Sequence, residues 1–109
     1  MKQIITFITV AAAATLLAAG PLAGTKAGPV MVKIDNFSFM PQTLTVAAGT
    51  KVTWINKDDV PHTVTSNDKT IKSRVLDTDD QFSYTFSTPG TNRYFCSVHP
   101  HMTGKIIVR

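Results

Sequence analysis

Cysteine and glutamate are nearly missing from this chain of 109 residues, which has one cysteine and no glutamate. A single cysteine, Cys96, excludes an intramolecular disulfide. Without glutamate, the Glu–Lys pairs four residues apart that stabilise exposed helices cannot form. The length corresponds to one domain and excludes an enzyme whose active site lies between two lobes.

Positive charge is also less abundant than the totals suggest. Eleven basic residues and seven aspartates give a formal net charge of +4. Lys2 and Lys26 lie within the first 27 residues, and without them the charge falls to +2. An excess this small carries little weight as a sign of an anionic partner, so we expect no nucleic-acid partner.

Residues 1–27 have the layout of a secretory signal peptide. Lys2 precedes an apolar run over residues 4–19, which Gly20 and Pro21 interrupt before a stretch of small residues. We expect Sec-type export with cleavage between residues 19 and 28, leaving a periplasmic domain at residues 28–109. The alternative is an uncleaved membrane anchor, but the run would span only about 24 Å of a hydrocarbon core of about 30 Å.

Most of the remaining chain alternates apolar and polar residues with a period of two, which is typical of β-strands. No segment has the 3.6-residue stripe of an amphipathic helix. The strand-like segments are residues 30–35, 37–40, 44–48, 52–56, 63–65, 82–86, 93–95 and 105–108, with a weaker one at 71–76. Seven or eight short strands predict an all-β sandwich or barrel. Asp58 and Asp59 are interpreted as turn residues.

Sulfur and imidazole donors are concentrated near the C-terminus. Cys96, His99 and Met102 follow one another as Cys-x-x-His-x-x-Met on an expected loop, and His62 lies in an earlier segment. Each residue alone is more often a packing or surface residue. Together, a thiolate, two imidazoles and a thioether are the donors of a blue-copper electron-transfer site. The alternative is a zinc site in which His101 joins Cys96, His99 and His62.

The chain resembles the cupredoxins, small type 1 copper proteins, and most resembles their amicyanin and pseudoazurin group. The resemblance covers residues 37–108. Its motifs are Phe39-x-Pro41, Leu44-Thr45-Val46-x-x-Gly49, Val52-Thr53-Trp54-Ile55-Asn56, Pro61-His62, Pro89-Gly90 and Tyr94-Phe95-Cys96-x-x-His99-Pro100-x-Met102-x-Gly104-Lys105. It implies a Greek-key β-sandwich in which His62, Cys96, His99 and Met102 bind one copper ion. It also implies that Asn56 ties the His62 loop to the Cys96 loop by hydrogen bonds.

The resemblance further implies that single electrons pass between a redox protein donor and acceptor. There would be no enzymatic reaction and no small-molecule substrate. His99 is expected to reach the surface, with Pro100 in the docking surface and His101 at its rim. Val98 replaces the proline that commonly precedes this histidine, so its N–H could point at the Cys96 sulfur. We expect a monomer.

A copper-binding or delivery protein with no electron-transfer partner is the alternative function. Such proteins favour open, exchangeable and often methionine-rich sites, whereas Met31 and Met40 form no clustered motif. A multicopper enzyme would need several domains and more than the three histidines of this chain.

Overall fold

Eight β-strands account for most of the chain that the structure describes. The computed structural model describes residues 30–109, and the predicted signal peptide at residues 1–27 lies outside that range. The strands are β1 (Val30–Asp35), β2 (Ser38–Met40), β3 (Thr43–Val46), β4 (Thr50–Asn56), β5 (Thr65–Ser66), β6 (Gln81–Phe86), β7 (Gly90–Cys96) and β8 (His99–Val108). The all-β prediction is confirmed. Within residues 30–109 there is no helix long and apolar enough to cross a membrane.

The strands form two four-stranded mixed sheets. The first sheet has the order β2-β1-β4-β6 and the second has the order β3-β8-β7-β5. Neighbours β1 and β4 are parallel, as are β3 and β8, although neither pair is consecutive in sequence. Parallel neighbours need a crossover connection, and the chain makes these crossovers by passing from one sheet to the other. The two sheets are therefore tied together by the chain itself.

Trp54 lies at the centre of the core between the sheets. It is fully buried, with the rings of Phe82, Phe86 and Tyr94 centred 5.4–6.2 Å away. Val52, Trp54 and Asn56 lie on one buried face of β4, as the period of two predicted. This face continues to the end of β4, from which the chain leaves for His62.

Several segments differ from the expectation based on alternation. Phe37 lies in the turn before β2, and only Thr65 of the segment 63–65 belongs to a strand. Residues 71–76 form only isolated bridges, to His62 and Thr65. The expected loop over residues 96–104 is much shorter, because β7 ends at Cys96 and β8 already begins at His99. Backbone pairing between the two strands therefore extends to the candidate ligands.

Gly104 is required by the close approach of the Tyr94 side chain. The two residues are opposite each other on β8 and β7. A Cβ atom at position 104 would lie 2.5 Å from Tyr94 Cζ and 2.6 Å from Tyr94 Oη. Burial raises the pKa of Tyr94 to about 12, so the phenol stays neutral in its apolar surroundings.

We expect Gly104→Ala to lower the free energy of unfolding by about 1–3 kcal/mol, because Tyr94 is packed and cannot move aside freely. Urea unfolding of the metal-free protein measures this change. Thr103→Ala, at the exposed neighbouring position, should change stability by less than about 0.5 kcal/mol. Equal stability of Gly104→Ala and the unmodified protein would contradict the proposed packing.

Candidate metal centre

Three of the four predicted ligands converge at one end of the sandwich. His62 lies in the connection between β4 and β5, Cys96 ends β7 and His99 begins β8. One nitrogen of each histidine and the Cys96 sulfur all lie within 4.8 Å of one another. Met102, on β8, is buried and lines the same cleft as His99. His101 is exposed and is not part of this cluster in the described residues.

A large bulge in β8 explains how residues so close in sequence converge. Phe95 is paired with Thr103, but the next residue, Cys96, is paired with His99. Residues 100–102 are therefore extra on β8 and disturb the strict alternation of its side chains. Bulges re-aim side chains in this way, so a paired strand can contribute both His99 and Met102 to one site. The bulge, and not an open loop, supplies the geometry that the motif spacing requires.

The distances fit one transition-metal ion. The Cys96 sulfur is 3.7 Å from Nδ1 of His62 and 3.7 Å from Nδ1 of His99. A metal about 2.0 Å from nitrogen and about 2.3 Å from sulfur places these atoms about 3.7 Å apart in a trigonal arrangement. Both imidazoles therefore present the same nitrogen at a spacing that a single ion can bridge.

The sulfur of Cys96 is fully buried and accepts a hydrogen bond from the N–H of Thr63 at 3.3 Å. Such a bond favours the thiolate, which is the form that binds metals. The expectation that Val98 would donate to this sulfur is wrong, because within residues 30–109 the backbone donor is Thr63.

Thr63 also joins the two ligand-bearing segments. Its hydroxyl accepts the N–H of Ser97 at 2.8 Å and lies 2.8 Å from the Ser97 hydroxyl. The resemblance assigned this link to Asn56, and that assignment is wrong. The Asn56 amide instead donates to the carbonyls of Val60 and Leu76 and accepts the N–H of Asp58. Asn56 therefore braces the turn that precedes His62, since its side chain lies on that side of the site.

Asp58 orients His62 from the side away from the sulfur. Its Oδ2 atom accepts hydrogen bonds from His62 Nε2 at 2.9 Å and from the N–H of Phe37 at 3.0 Å. A proton on Nε2 leaves Nδ1 free to accept a metal.

The backbone N–H of Phe37, followed by the His62 ring, lowers the pKa of Asp58 below its usual value of 3.8. Asp58 forms a turn as predicted, but its contact with His62 was missed. A carboxylate four residues before a ligand histidine is the sequence signal for that contact.

Phe37 covers the two histidines and was not predicted to belong to the site. Its ring meets the His62 and His99 rings edge-on, with centroids 5.6 Å and 5.0 Å away. Asn36 and Phe37 form the two-residue turn between β1 and β2 with φ angles of 50° and 56°, a conformation that is rare for a bulky side chain. The hydrogen bond to Asp58 holds Phe37 there, so the residue is placed by tertiary contacts.

The surface above the site is apolar. His99 is half-buried, and its neighbours Phe37 and Val98 are about half exposed, at 51% and 49%. These residues, together with Pro100 and Met102, line an open cleft of about 400 Å³. The predicted location of Pro100 beside His99 at the surface agrees with this arrangement.

Comparisons with known proteins point to one family. A family model described as a cupredoxin-like domain matches residues 6–108. The amicyanin-alpha of Methylorubrum extorquens is 35% identical over 104 residues, which cover 88% of this chain and 87% of that protein. A chloroplastic plastocyanin of Tetradesmus obliquus is 35% identical, covering 92% and 81% respectively.

Solved structures agree with the sequence comparisons. A purple cupredoxin from Nitrosopumilus maritimus superimposes with a TM-score of 0.71 and 32% identity, covering 73% of this chain and 99% of that one. A reduced amicyanin variant gives the same score and identity over 75% and 83%. A copper-containing nitrite reductase from Thermus scotoductus also scores 0.71 with 30% identity, but the match covers only 23% of that enzyme's chain.

We expect Thr63→Val to lower the free energy of unfolding by about 1–2 kcal/mol, because the Ser97 N–H loses its acceptor. It should also speed hydrogen exchange at that amide. Urea unfolding and exchange measured by NMR on the metal-free protein test both effects. Thr63→Ser retains the hydroxyl and should keep the Ser97 amide protected. Unchanged exchange in Thr63→Val would show that the hydroxyl does not hold the segment.

The lowered pKa of Asp58 predicts a pH-dependent contribution to stability. This contribution should be complete above the usual aspartate pKa and be lost as pH falls through the lower folded-state value. The difference in unfolding free energy between the unmodified protein and Asp58→Asn should therefore shrink as the pH is lowered from about 5 through the acid range. Asp59→Asn removes a charge from the exposed neighbour and controls for net charge. A difference that stays constant over this range would contradict the prediction.

Proposed function

This chain belongs to the cupredoxin family, and from that premise we propose that it binds one copper ion and carries single electrons between redox proteins. The triangle formed by the Cys96 sulfur and the Nδ1 atoms of His62 and His99 supports this proposal most directly. Together with Met102, these are the donors of a blue-copper site. Bound copper would supply reversible one-electron chemistry through its Cu(I) and Cu(II) states.

The chain's own residues prepare that site in three ways. Burial of Cys96 and His62 excludes water from the donors. The Thr63 N–H stabilises the thiolate, and Asp58 keeps the His62 proton on Nε2. Because hydrogen bonds fix both segments, the donors should move little when the oxidation state changes, which favours fast electron exchange.

Exchange of electrons with another protein is proposed to occur through the exposed edge of His99. His99 lies in the apolar patch formed by Phe37, Val98 and Pro100, which suits brief contact with a donor or an acceptor. The site needs no small-molecule substrate. The solved nitrite reductase is an enzyme, but this chain aligns with under a quarter of it, so we propose a carrier and not an enzyme.

Export to the periplasm is part of the proposal and rests on residues 1–27, with their basic start and apolar run. The family match begins at residue 6, so the boundary at residue 28 stays a prediction. The uncleaved anchor would leave the domain on the same side of the membrane. We propose that the domain acts as a monomer.

The two alternatives from the sequence are less well supported. Copper delivery favours donors that a partner can reach, whereas Cys96 and His62 are fully buried. A zinc site using His101 would need that exposed side chain to join the buried cluster. The Cys96, His99 and His62 donors, together with Met102, fit the proposed copper site without His101.

We expect Cu(II) added to the metal-free protein to produce an intense visible band from thiolate-to-copper charge transfer. Cys96→Ser should abolish the band because it removes the thiolate. His101→Ala should keep it, since His101 lies outside the cluster. Absorption spectroscopy tests both variants.

A visible band that persists in Cys96→Ser, or the absence of any band, would refute the copper site. The rate at which bound copper exchanges with a chelator then distinguishes electron transfer from copper delivery. Slow exchange with rapid, reversible reduction in voltammetry supports the carrier, whereas rapid exchange supports delivery.

A further inference from the structure

Two cations face each other on the outer surface of the second sheet. Arg93 on β7 is paired directly with Lys105 on β8, and both side chains lie on the side of the sheet away from the core. They border a cleft of about 340 Å³ with amide and hydroxyl groups at its sides. Those groups belong to Gln42, Thr43, Asn67 and Thr103.

This pair contributes nothing favourable to folding by itself. Like charges directly opposite each other on neighbouring strands repel. In the described residues neither Arg93 nor Lys105 forms an ion pair, whereas Lys33, Lys57 and Arg74 each have an aspartate partner. An anion between the two side chains would relieve the repulsion and supply the missing partner.

The acidic residues lie mainly beside the other sheet. Asp35 ends β1, Asp58 and Asp59 follow β4, and three more aspartates lie at residues 77–80, just before β6. Asp68 lines an adjoining cleft together with Arg93. Its Oδ1 atom already accepts hydrogen bonds from Ser66 and Thr70. The outer surface of the second sheet is therefore cationic while most carboxylates lie elsewhere.

The cationic cleft and the apolar patch at His99 adjoin the same intermediate cleft. This third cleft has a volume of about 200 Å³. It shares Phe37, His101 and Met102 with the His99 cleft, and it shares Gln42 and Thr103 with the cationic cleft. A partner seated over His99 and extending along β8 would therefore lie next to Lys105 and Arg93.

We infer that the redox partner is a protein whose docking surface is rich in carboxylates, and that these carboxylates bind between Arg93 and Lys105 while an apolar area covers His99. This inference rests on the proposed electron-carrier function. The guanidinium of Arg93 can hold a carboxylate through two parallel hydrogen bonds, and Lys105 adds a second charge. The apolar patch supplies close contact at His99, and the charge pair fixes the orientation of the partner.

The test uses a hexaglutamate peptide as the carboxylate-rich probe and the Cu(I)-loaded protein labelled with ¹⁵N. At about 20 mM salt, amide shift changes should centre on Arg93, Thr103 and Lys105, and they should weaken as salt rises. The double variant Arg93→Gln/Lys105→Gln should bind about three- to tenfold more weakly. Lys33→Gln/Lys51→Gln removes the same charge from the first sheet and should bind like the unmodified protein.

Three results would overturn the inference. These are equal weakening in both double variants, shift changes that centre away from β7 and β8, or inorganic phosphate binding as tightly as the peptide. The last result would indicate a small-anion site and not a protein-docking surface.

The thiolate-to-copper band of each variant is recorded first. Loss of that band in the unmodified protein refutes the electron-carrier proposal, whereas an intact band with an overturning peptide result refutes only the docking inference.

Discussion

The hydrogen bonds between Thr63 and the Cys96–Ser97 segment are the constraint on which the site depends. They join two segments more than thirty residues apart, one just before β5 and the other at the end of β7. Because Thr65 of β5 is paired with Phe95 of β7 in the second sheet, these contacts continue that pairing beyond the end of β5. The spacing between the His62 and Cys96 donors therefore depends on how the segment before β5 pairs with the end of β7.

A second set of contacts supports the site on the side of His62 that faces away from the sulfur. Asp58 accepts hydrogen bonds from the His62 ring and from the backbone of Phe37, so one carboxylate fixes both a candidate ligand and the aromatic ring that covers it. Phe37 adopts a φ angle that is costly for its side chain. In this position the Phe37 ring packs edge-on against His62 and His99. It shields the imidazoles from solvent while leaving the edge of His99 accessible.

Charge and apolar surface are divided between the faces of the molecule. The apolar patch lies over His99, the unpaired cations Arg93 and Lys105 lie along the second sheet, and most aspartates flank the first sheet. The small formal charge of the whole chain hides this separation. Only the pairing register of β7 and β8 reveals that two basic residues twelve positions apart in sequence are direct neighbours.

The sequence by itself determined the all-β class, most strand positions and the candidate donor set, because period-two alternation and the chemistry of Cys96, His62, His99 and Met102 are local properties. It could not determine which residues form hydrogen bonds to the candidate ligands and hold them in place. Asn56 was assigned a link that Thr63 makes, since the choice depends on which side chain faces the Cys96–Ser97 segment. The bulge in β8 likewise arises from pairing with β7. These features depend on contacts between distant segments, so only the tertiary structure decided them.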